Sequence, residues 1–261
     1  MNLPKDYISY NQIRLYRNCP LKYYFTYIEK IKTPINDKIL LGAVFHYVIE
    51  YYFKKKIETK EPDNGKIKGV FLEEFELEKG ENEIVWTSSC DEVKKRGIAF
   101  VEYFFKEMAS FIDPLMVETE LEVELPNKGV NLRGIIDLVE KDFSITDFKT
   151  TTSKWSKSRV DSSYLQILIY KYLFEKSFCN ISPEVKFKII YSKNHKKINH
   201  QEINIKPKKD DIEKMLEIID HVIENIDNAL FYKNETYMCN FCEFKYICKN
   251  FKLVKRDEKI I

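Results

Sequence analysis

Val117-Glu118-Thr119-Glu120-Leu121-Glu122-Val123-Glu124-Leu125 is where the chain changes its period. Apolar residues and one Thr alternate with four glutamates, which predicts a strand with one buried and one wet face. Pro126-Asn127-Lys128-Gly129 supplies a turn. Residues 130–140 read as the next strand, Lys141-Asp142 reverses the chain, and residues 143–149 read as a third.

Upstream of this meander the period is helical. Ser9 with Gln12 forms a capping-box pattern ahead of Ile13, Tyr16, Cys19, Tyr23 and Tyr27, and Pro20 must break or restart that helix. Over about 40–56, Phe45, Ile49, Tyr52 and Phe53 share a broad helical face. Residues 58–69 are polar and turn-rich, which predicts a loop. Ser89 with Glu92 caps an amphipathic run over 93–111. Downstream come a helix over 164–178 and a hairpin of 185–192 with 198–205. Asp210 with Glu213 then caps a long helix carrying Ile212, Met215, Leu216, Ile219, Val222, Ile223, Ile226 and Leu230. No internal repeat or strong boundary stands out. The pattern predicts one α/β domain over residues 1–261: a helical N-terminal portion (about 40–111), a mixed β-sheet core flanked by helices (about 112–205), and a C-terminal helix with a cysteine segment (about 210–261).

The 261 residues are 44% hydrophobic and 32% charged, with 18 Phe and 17 Tyr. That composition excludes a disordered or low-complexity chain. The net charge is +2, so bulk charge does not announce a nucleic-acid binder. Basic residues nevertheless concentrate in residues 1–60 and 245–261, and acidic ones in 72–83, which permits a local basic groove. No stretch approaches the roughly 18 apolar residues of a membrane span, and the first residues carry no apolar signal-peptide core. A cytoplasmic protein is expected, where six Cys suggest metal ligation before disulfides.

Gly134-Ile135-Ile136-Asp137 precedes Asp147-Phe148-Lys149-Thr150 by ten residues. A turn at Lys141-Asp142 sets Asp137 opposite roughly position 146, beside Asp147. Directly opposed side chains lie about 5 Å apart, and Asp147 shares a face with Lys149. Two carboxylates and an ammonium suit a hard divalent cation such as Mg²⁺, which polarises a scissile phosphate and acidifies a bound water. Lys149 is placed to orient that water or stabilise developing charge. The Phe148 carbonyl is a further candidate ligand. A surface salt bridge is the plain structural alternative, weakened because both acids sit in apolar runs. His46 in Gly42-x-x-x-His46-x-x-x-Glu50 is a candidate metal ligand, and Gln166 with Tyr170 stands one helical turn apart. Tyr23, Tyr24, Phe25 and Trp155 are candidates to stack on bases, and Lys154, Lys157 and Arg159 to hold phosphates.

Cys239-x-x-Cys242-x-x-x-x-x-Cys248 is a compact set of three thiols. A fourth ligand could come from Cys19, Cys90 or Cys179. Cys19 is favoured because its Cys-Pro setting breaks a helix and exposes the thiol. One close pair and a distant single Cys fit a 4Fe–4S cluster better than zinc, which usually takes two close pairs.

Together these segments resemble the PD-(D/E)XK nuclease superfamily, in its RecB-like branch. That branch includes the nuclease domains of AddB-type repair enzymes and the four-cysteine CRISPR-associated nucleases. Arg17-Asn18-Cys19-Pro20-Leu21-Lys22-Tyr23 looks like its N-terminal cluster segment. Gly42-x-x-x-His46-x-x-x-Glu50 is similar to its histidine motif, and Gly134–Asp137 and Asp147–Thr150 to its central motifs, with Asp147 as a permitted second acid. Gln166-x-x-x-Tyr170 is similar to its last motif.

The resemblance implies a restriction-endonuclease-like core with its termini stapled by a structural 4Fe–4S cluster on Cys19, Cys239, Cys242 and Cys248. It implies Mg²⁺- or Mn²⁺-dependent phosphodiester hydrolysis of DNA, by an exonuclease preferring single strands or ends. Asp137, Asp147, Lys149, Gln166 and Tyr170 would be catalytic. His46, Asp137, Asp147 and the Phe148 carbonyl would hold metal. The implied roles are repair, recombination, or phage- or CRISPR-related DNA processing. No Walker-type motif is present, so any motor would be a separate helicase, and a recombination or CRISPR adaptation protein is a further candidate partner. The reading from another class is a non-catalytic nucleic-acid-binding or assembly module held by a cysteine-ligated metal.

Overall fold

In the computed structural model, the described residues are 3–59, 65–126, 128–178 and 184–251. In chain order the elements begin with β1 (Tyr7–Ser9), α1 (Tyr10–Asn18), α2 (Pro20–Tyr23), β2 (Ile35–Asn36), α3 (Asp37–Thr59) and α4 (Ile67–Glu81). Next come β3 (Ile84–Val85), α5 (Cys90–Glu107), β4 (Pro114–Glu124), β5 (Asn131–Glu140), β6 (Ile145–Thr151) and α6 (Lys157–Phe178). The chain continues with β7 (Val185–Tyr191), β8 (Asn199–Ile205), α7 (Lys209–Asp227) and α8 (Lys245–Asn250). Two compact units result: a central one, Pro34–Met215, and a terminal one formed by Met1–Thr33 with Leu216–Ile261.

In the central unit β4, β5 and β6 form an antiparallel meander, β6 and β7 run parallel with α6 between them, and β8 returns antiparallel on β7. The sheet is therefore mixed and helix-flanked, as the pattern predicts. Ile145, Thr146, Asp147 and Phe148 are all buried. Continuous burial without alternation means that both faces of β6 are covered. On one face Phe148 packs with Phe53 of α3 and Phe104 of α5. On the other, Asp147 meets Gln166 of α6.

The core between the sheet and α3, α4 and α5 is rich in aromatics. Phe45, Phe53, Phe71, Phe75, Phe100, Phe104 and Phe148 are each buried within one cluster, each contributing about 1.5–3 kcal/mol by burial. Two glycines let helices approach. A Cβ on Gly97 of α5 would lie 2.2 Å from Phe71 Cζ, and one on Gly134 of β5 would lie 2.7 Å from Leu173 Cδ1 of α6. Asp37, fully buried at the start of α3, accepts hydrogen bonds from Thr87 N and Ser88 N at 3.0 and 3.1 Å. An anion there also suits the helix dipole.

Several expectations shift at their edges. The loop expected over 58–69 already turns into α4 at Ile67, with residues 60–64 outside the described set. At α7 the acid that bonds the chain entry is Asp211, accepting from Lys208 N at 3.0 Å; Asp210 lies inside the first turn. Ser89 caps α5 as expected. Ser9 caps α1, but Gln12 Nε2 reaches the Tyr7 carbonyl at 3.2 Å instead of closing a reciprocal box. Pro20 restarts the helix as α2, with Cys19 extended between α1 and α2.

In the terminal unit, Leu21, Phe25 and Phe244 form a small core, with Cys19, Cys242 and Cys248 packed on it. Leu21 N donates to the Tyr232 carbonyl at 3.0 Å and Tyr16 Oη to the Leu230 carbonyl at 2.6 Å, tying the two ends of the chain together. Among the described residues, no helix is long and apolar enough to cross a membrane.

Candidate active site

The site is assembled by strand register. On the β4–β5 ladder, Val117 pairs with Leu138 and Thr119 with Ile136, which sets Glu118 opposite Asp137. On β5–β6, Leu138 pairs with Thr146 and Val139 with Ile145, and one more step sets Asp137 opposite Asp147. Glu118, Asp137 and Asp147 thus form a row across three strands. The second register differs by one residue from the expected one. The connection is a three-residue loop, with Glu140 N donating to the Ser144 carbonyl at 2.9 Å and Phe143 at φ 63°, instead of a two-residue turn.

Glu118 departs from its three fellow glutamates on β4. Its φ is 43°, in the left-handed region, a conformation that costs on the order of 1–3 kcal/mol for a residue with a side chain. Glu120 pairs with Arg133 and Glu122 accepts from Asn131. Glu118 instead joins His46 and Asp137, with one ligand atom of each lying within 4.8 Å of the others; among the described residues this is the one such group. Alternation alone assigns all four glutamates to a solvated face and does not single out Glu118. The signal was present: a turn at Pro126–Gly129 already sets 118 opposite 137.

The remaining predicted residues converge on this row. His46 Nδ1 lies 3.3 Å from Asp137 Oδ2, and its ring bonds the Phe148 carbonyl. Phe148 N donates to Asp137 Oδ2 at 2.8 Å. Lys149 Nζ lies 2.6 Å from Asp147 Oδ2. From α6, Gln166 Nε2 donates to Asp147 Oδ1 at 2.8 Å and lies 2.8 Å from Tyr170 Oη. The close approach at Gly134, where an added Cβ would also lie 3.6 Å from Tyr170 Cε1, brings α6 down far enough for this.

Burial dominates the electrostatics. It raises Asp137 and Asp147 each to about 6, against the pull of Lys149. Burial, then the negative charges of Asp137 and Glu50, raise Glu118 to about 8. Burial, then Lys149, lower His46 to about 4, leaving a neutral imidazole. Tyr170 is held well above its usual range by burial. Three carboxyl groups crowded beside one lysine resist full ionisation by themselves. A divalent cation among them relieves that repulsion, and oxygen donors with one neutral imidazole suit Mg²⁺ or Mn²⁺.

In the terminal unit, Cys19, Cys239, Cys242 and Cys248 all line one cavity of about 510 Å³. Thr236 N donates to Cys239 Sγ at 3.5 Å, and Phe244 N bonds Cys242. No three of these sulfurs come within 4.8 Å of one another. Burial raises the Cys242 and Cys248 thiols. Cys90 is half-buried in α5, and Cys179 lies outside the described residues.

Not every candidate for nucleic-acid contact is available. Tyr23 and Phe25 are buried in the terminal unit, and Trp155 is buried in the central unit against Phe187, with ring centroids 5.0 Å apart. Packing occupies their faces, so these three do not stack on bases. Tyr24 is half-buried, its ring against Phe231 and Phe251. Lys154, Lys157 and Arg159 are exposed.

The model of the PD-(D/E)XK nuclease superfamily matches residues 7–249. A crystal structure described as a "Putative exonuclease" from Eubacterium rectale is similar over 98% of this chain and 91% of its own, at 14% identity and a TM-score of 0.60. The structure of SSO0001 aligns over 92% of this chain and 96% of its own, at 16% identity and a TM-score of 0.37, too low to bear on the fold. No curated protein matches the sequence.

Proposed function

Since the chain belongs to the PD-(D/E)XK nuclease superfamily, we propose that it is a divalent-metal-dependent DNA exonuclease acting on single strands or ends. The observation that carries this reading is the row Glu118–Asp137–Asp147, with His46 at one side and Lys149 at the other. His46, Asp137, Asp147 and the Phe148 carbonyl are the proposed metal ligands, joined by Glu118. When bound, Mg²⁺ or Mn²⁺ supplies Lewis-acid polarisation of the scissile phosphate and acidifies a water.

The chain's own residues do the rest. Lys149 holds a positive charge beside Asp147, where it can orient the attacking water and offset charge growing on the phosphate. Gln166 fixes the Asp147 carboxylate from α6, and Tyr170 in turn holds Gln166. Neutral His46 binds without adding charge. Repair, recombination or CRISPR-related processing with a separate helicase or adaptation protein is the setting this activity fits.

The terminal unit is read as a structural 4Fe–4S site. Zinc with Zn–S bonds of about 2.3 Å would draw its sulfurs to about 3.8 Å apart. Four cysteines line one cavity without any three of their sulfurs gathering within 4.8 Å, which favours a bulkier cluster. Backbone N–H groups aimed at Cys239 and Cys242 suit thiolate ligands.

The test is degradation of 5′- and 3′-labelled single- and double-stranded DNA with Mg²⁺ or Mn²⁺. Asp147→Ala is expected to abolish cleavage while the oligonucleotide still binds. Intact DNA with wild-type protein, or unchanged cleavage by Asp147→Ala, would overturn the reading.

A further inference from the structure

A second cavity, of about 180 Å³, lies in the central unit where β6 ends. Its walls carry three cations, Lys38 of α3, Arg96 of α5 and Arg159 of α6, and three hydroxyls, Thr150, Thr151 and Thr152. Arg96 is only 8% exposed. Among the described residues it faces no carboxylate at ion-pair distance, and the same holds for Lys38 and Arg159. A buried guanidinium without a counter-charge is costly, so the cavity is built for an anion that the chain does not supply. Arg159 is held in place: its guanidinium lies over the Trp155 ring, 4.8 Å from the centroid, and Nη1 lies 3.4 Å from Thr151 Oγ1.

From these residues we infer that the cavity is a phosphate subsite that grips the nucleic-acid strand a few nucleotides from the cleaved bond. The inference rests on the proposed nuclease reading and extends it. Guanidinium groups and hydroxyls are the donors that phosphate oxygens take. Lys38, Gly42 and His46 follow one another at intervals of four residues on one face of α3, so the cavity and the metal ligand are about 12 Å apart along the helix. Gly42 lies between them. A methyl there would meet only Thr150 Oγ1, at 3.8 Å. Packing therefore does not demand glycine at this position, and its bareness leaves the strip from cavity to His46 open to a strand.

The phosphate has two possible sources, a terminal phosphomonoester or an internal phosphodiester. The experiment measures binding of a labelled oligothymidylate in EDTA over a salt series, so that cleavage plays no part. Arg96→Gln and the double variant Lys38→Gln/Arg159→Gln are expected to weaken binding about tenfold or more and to make the salt slope shallower by about 0.7 and about 1.4 respectively. Removing two charges outside the cavity, with Lys68→Gln/Lys106→Gln, should do much less. If Arg96→Gln does not fold, the exposed pair Lys38 and Arg159 decides the matter.

Oligonucleotides bearing a 5′-phosphate, a 5′-hydroxyl or a 3′-phosphate separate the sources. A loss confined to one phosphorylated end assigns a terminal group, and an equal loss on all three assigns an internal one. Unchanged affinity and slope in both cavity variants, or an equal loss in the control pair, overturns the subsite. Weakened binding in the cavity variants, beside a wild-type protein that binds but cuts no DNA, would instead leave the subsite standing and remove the nuclease reading.

Discussion

The acid row of the central unit and the cysteine cavity of the terminal unit are both donor sets, yet they are built differently. The row is drawn together by adjacent strands. Two of its members are already hydrogen-bonded, Asp137 by Phe148 N and Asp147 by Gln166, and Glu118 and Asp137 each bring an oxygen within 4.8 Å of a His46 nitrogen. The cysteines come from opposite ends of the chain, around a cavity of about 510 Å³ with three apolar side chains beneath. Under the proposed function, the sheet would fix a hard-ion site before the ion arrives, and the terminal unit would gain cohesion from a group bound by the thiols.

The largest expected effect tests that contrast directly. Cys239→Ala should give colourless protein and a much lower unfolding temperature, because structural metal sites contribute on the order of 10 kcal/mol. Protein purified anaerobically should be brown and contain iron. Stoichiometric zinc, or an unchanged melting profile in the variant, would refute the cluster.

The acid row should respond to pH and metal instead. Its carboxyls have raised values in the fold, so the folded state holds more protons than the unfolded one. Their stabilising contribution is present below about pH 4 and is lost as pH rises through about 6 for Asp137 and Asp147 and about 8 for Glu118. His46, lowered to about 4, acts oppositely between about 4 and 6.5 and offsets part of this. Mn²⁺ must displace the carboxyl protons, so it should raise the melting temperature more at pH 8 than at pH 5. An equal rise at both pH values would place the ion elsewhere.

A smaller effect isolates Glu118. Glu118→Gln should stabilise the metal-free protein modestly at pH 8, because it removes a half-buried carboxylate disfavoured by burial and by the charges of Asp137 and Glu50, while cleavage falls. Gain of stability with undiminished cleavage would remove Glu118 from the site. The last concerns α6: Gly134→Ala should cost about 1–3 kcal/mol by overpacking against Leu173. Partial rescue by Leu173→Ala, followed by denaturant titration, checks that the contact is the cause.

The two hairpins were legible because alternation and turn residues are local. They gave Asp137 beside Asp147, short by one residue because Phe143 adopts a left-handed conformation that its own side chain does not advertise. Glu118 was legible in principle and overlooked, since four alternating glutamates look alike on a strand. Trp155 misled in the other direction: an aromatic among lysines suggests stacking, but Phe187 takes its face.

The sequence by itself determined the meander, its nearly correct register, and hence the pair of aspartates and their lysine, since strand period and turn chemistry act over a few residues. Only the tertiary structure decided that His46 of α3 reaches Asp137, that Gln166 of α6 holds Asp147, and that Arg96 of α5 lines a cavity with Lys38 of α3. Those meetings depend on how closely helices settle on a sheet. Gly97 and Gly134 set that distance through contacts with residues far away in the chain.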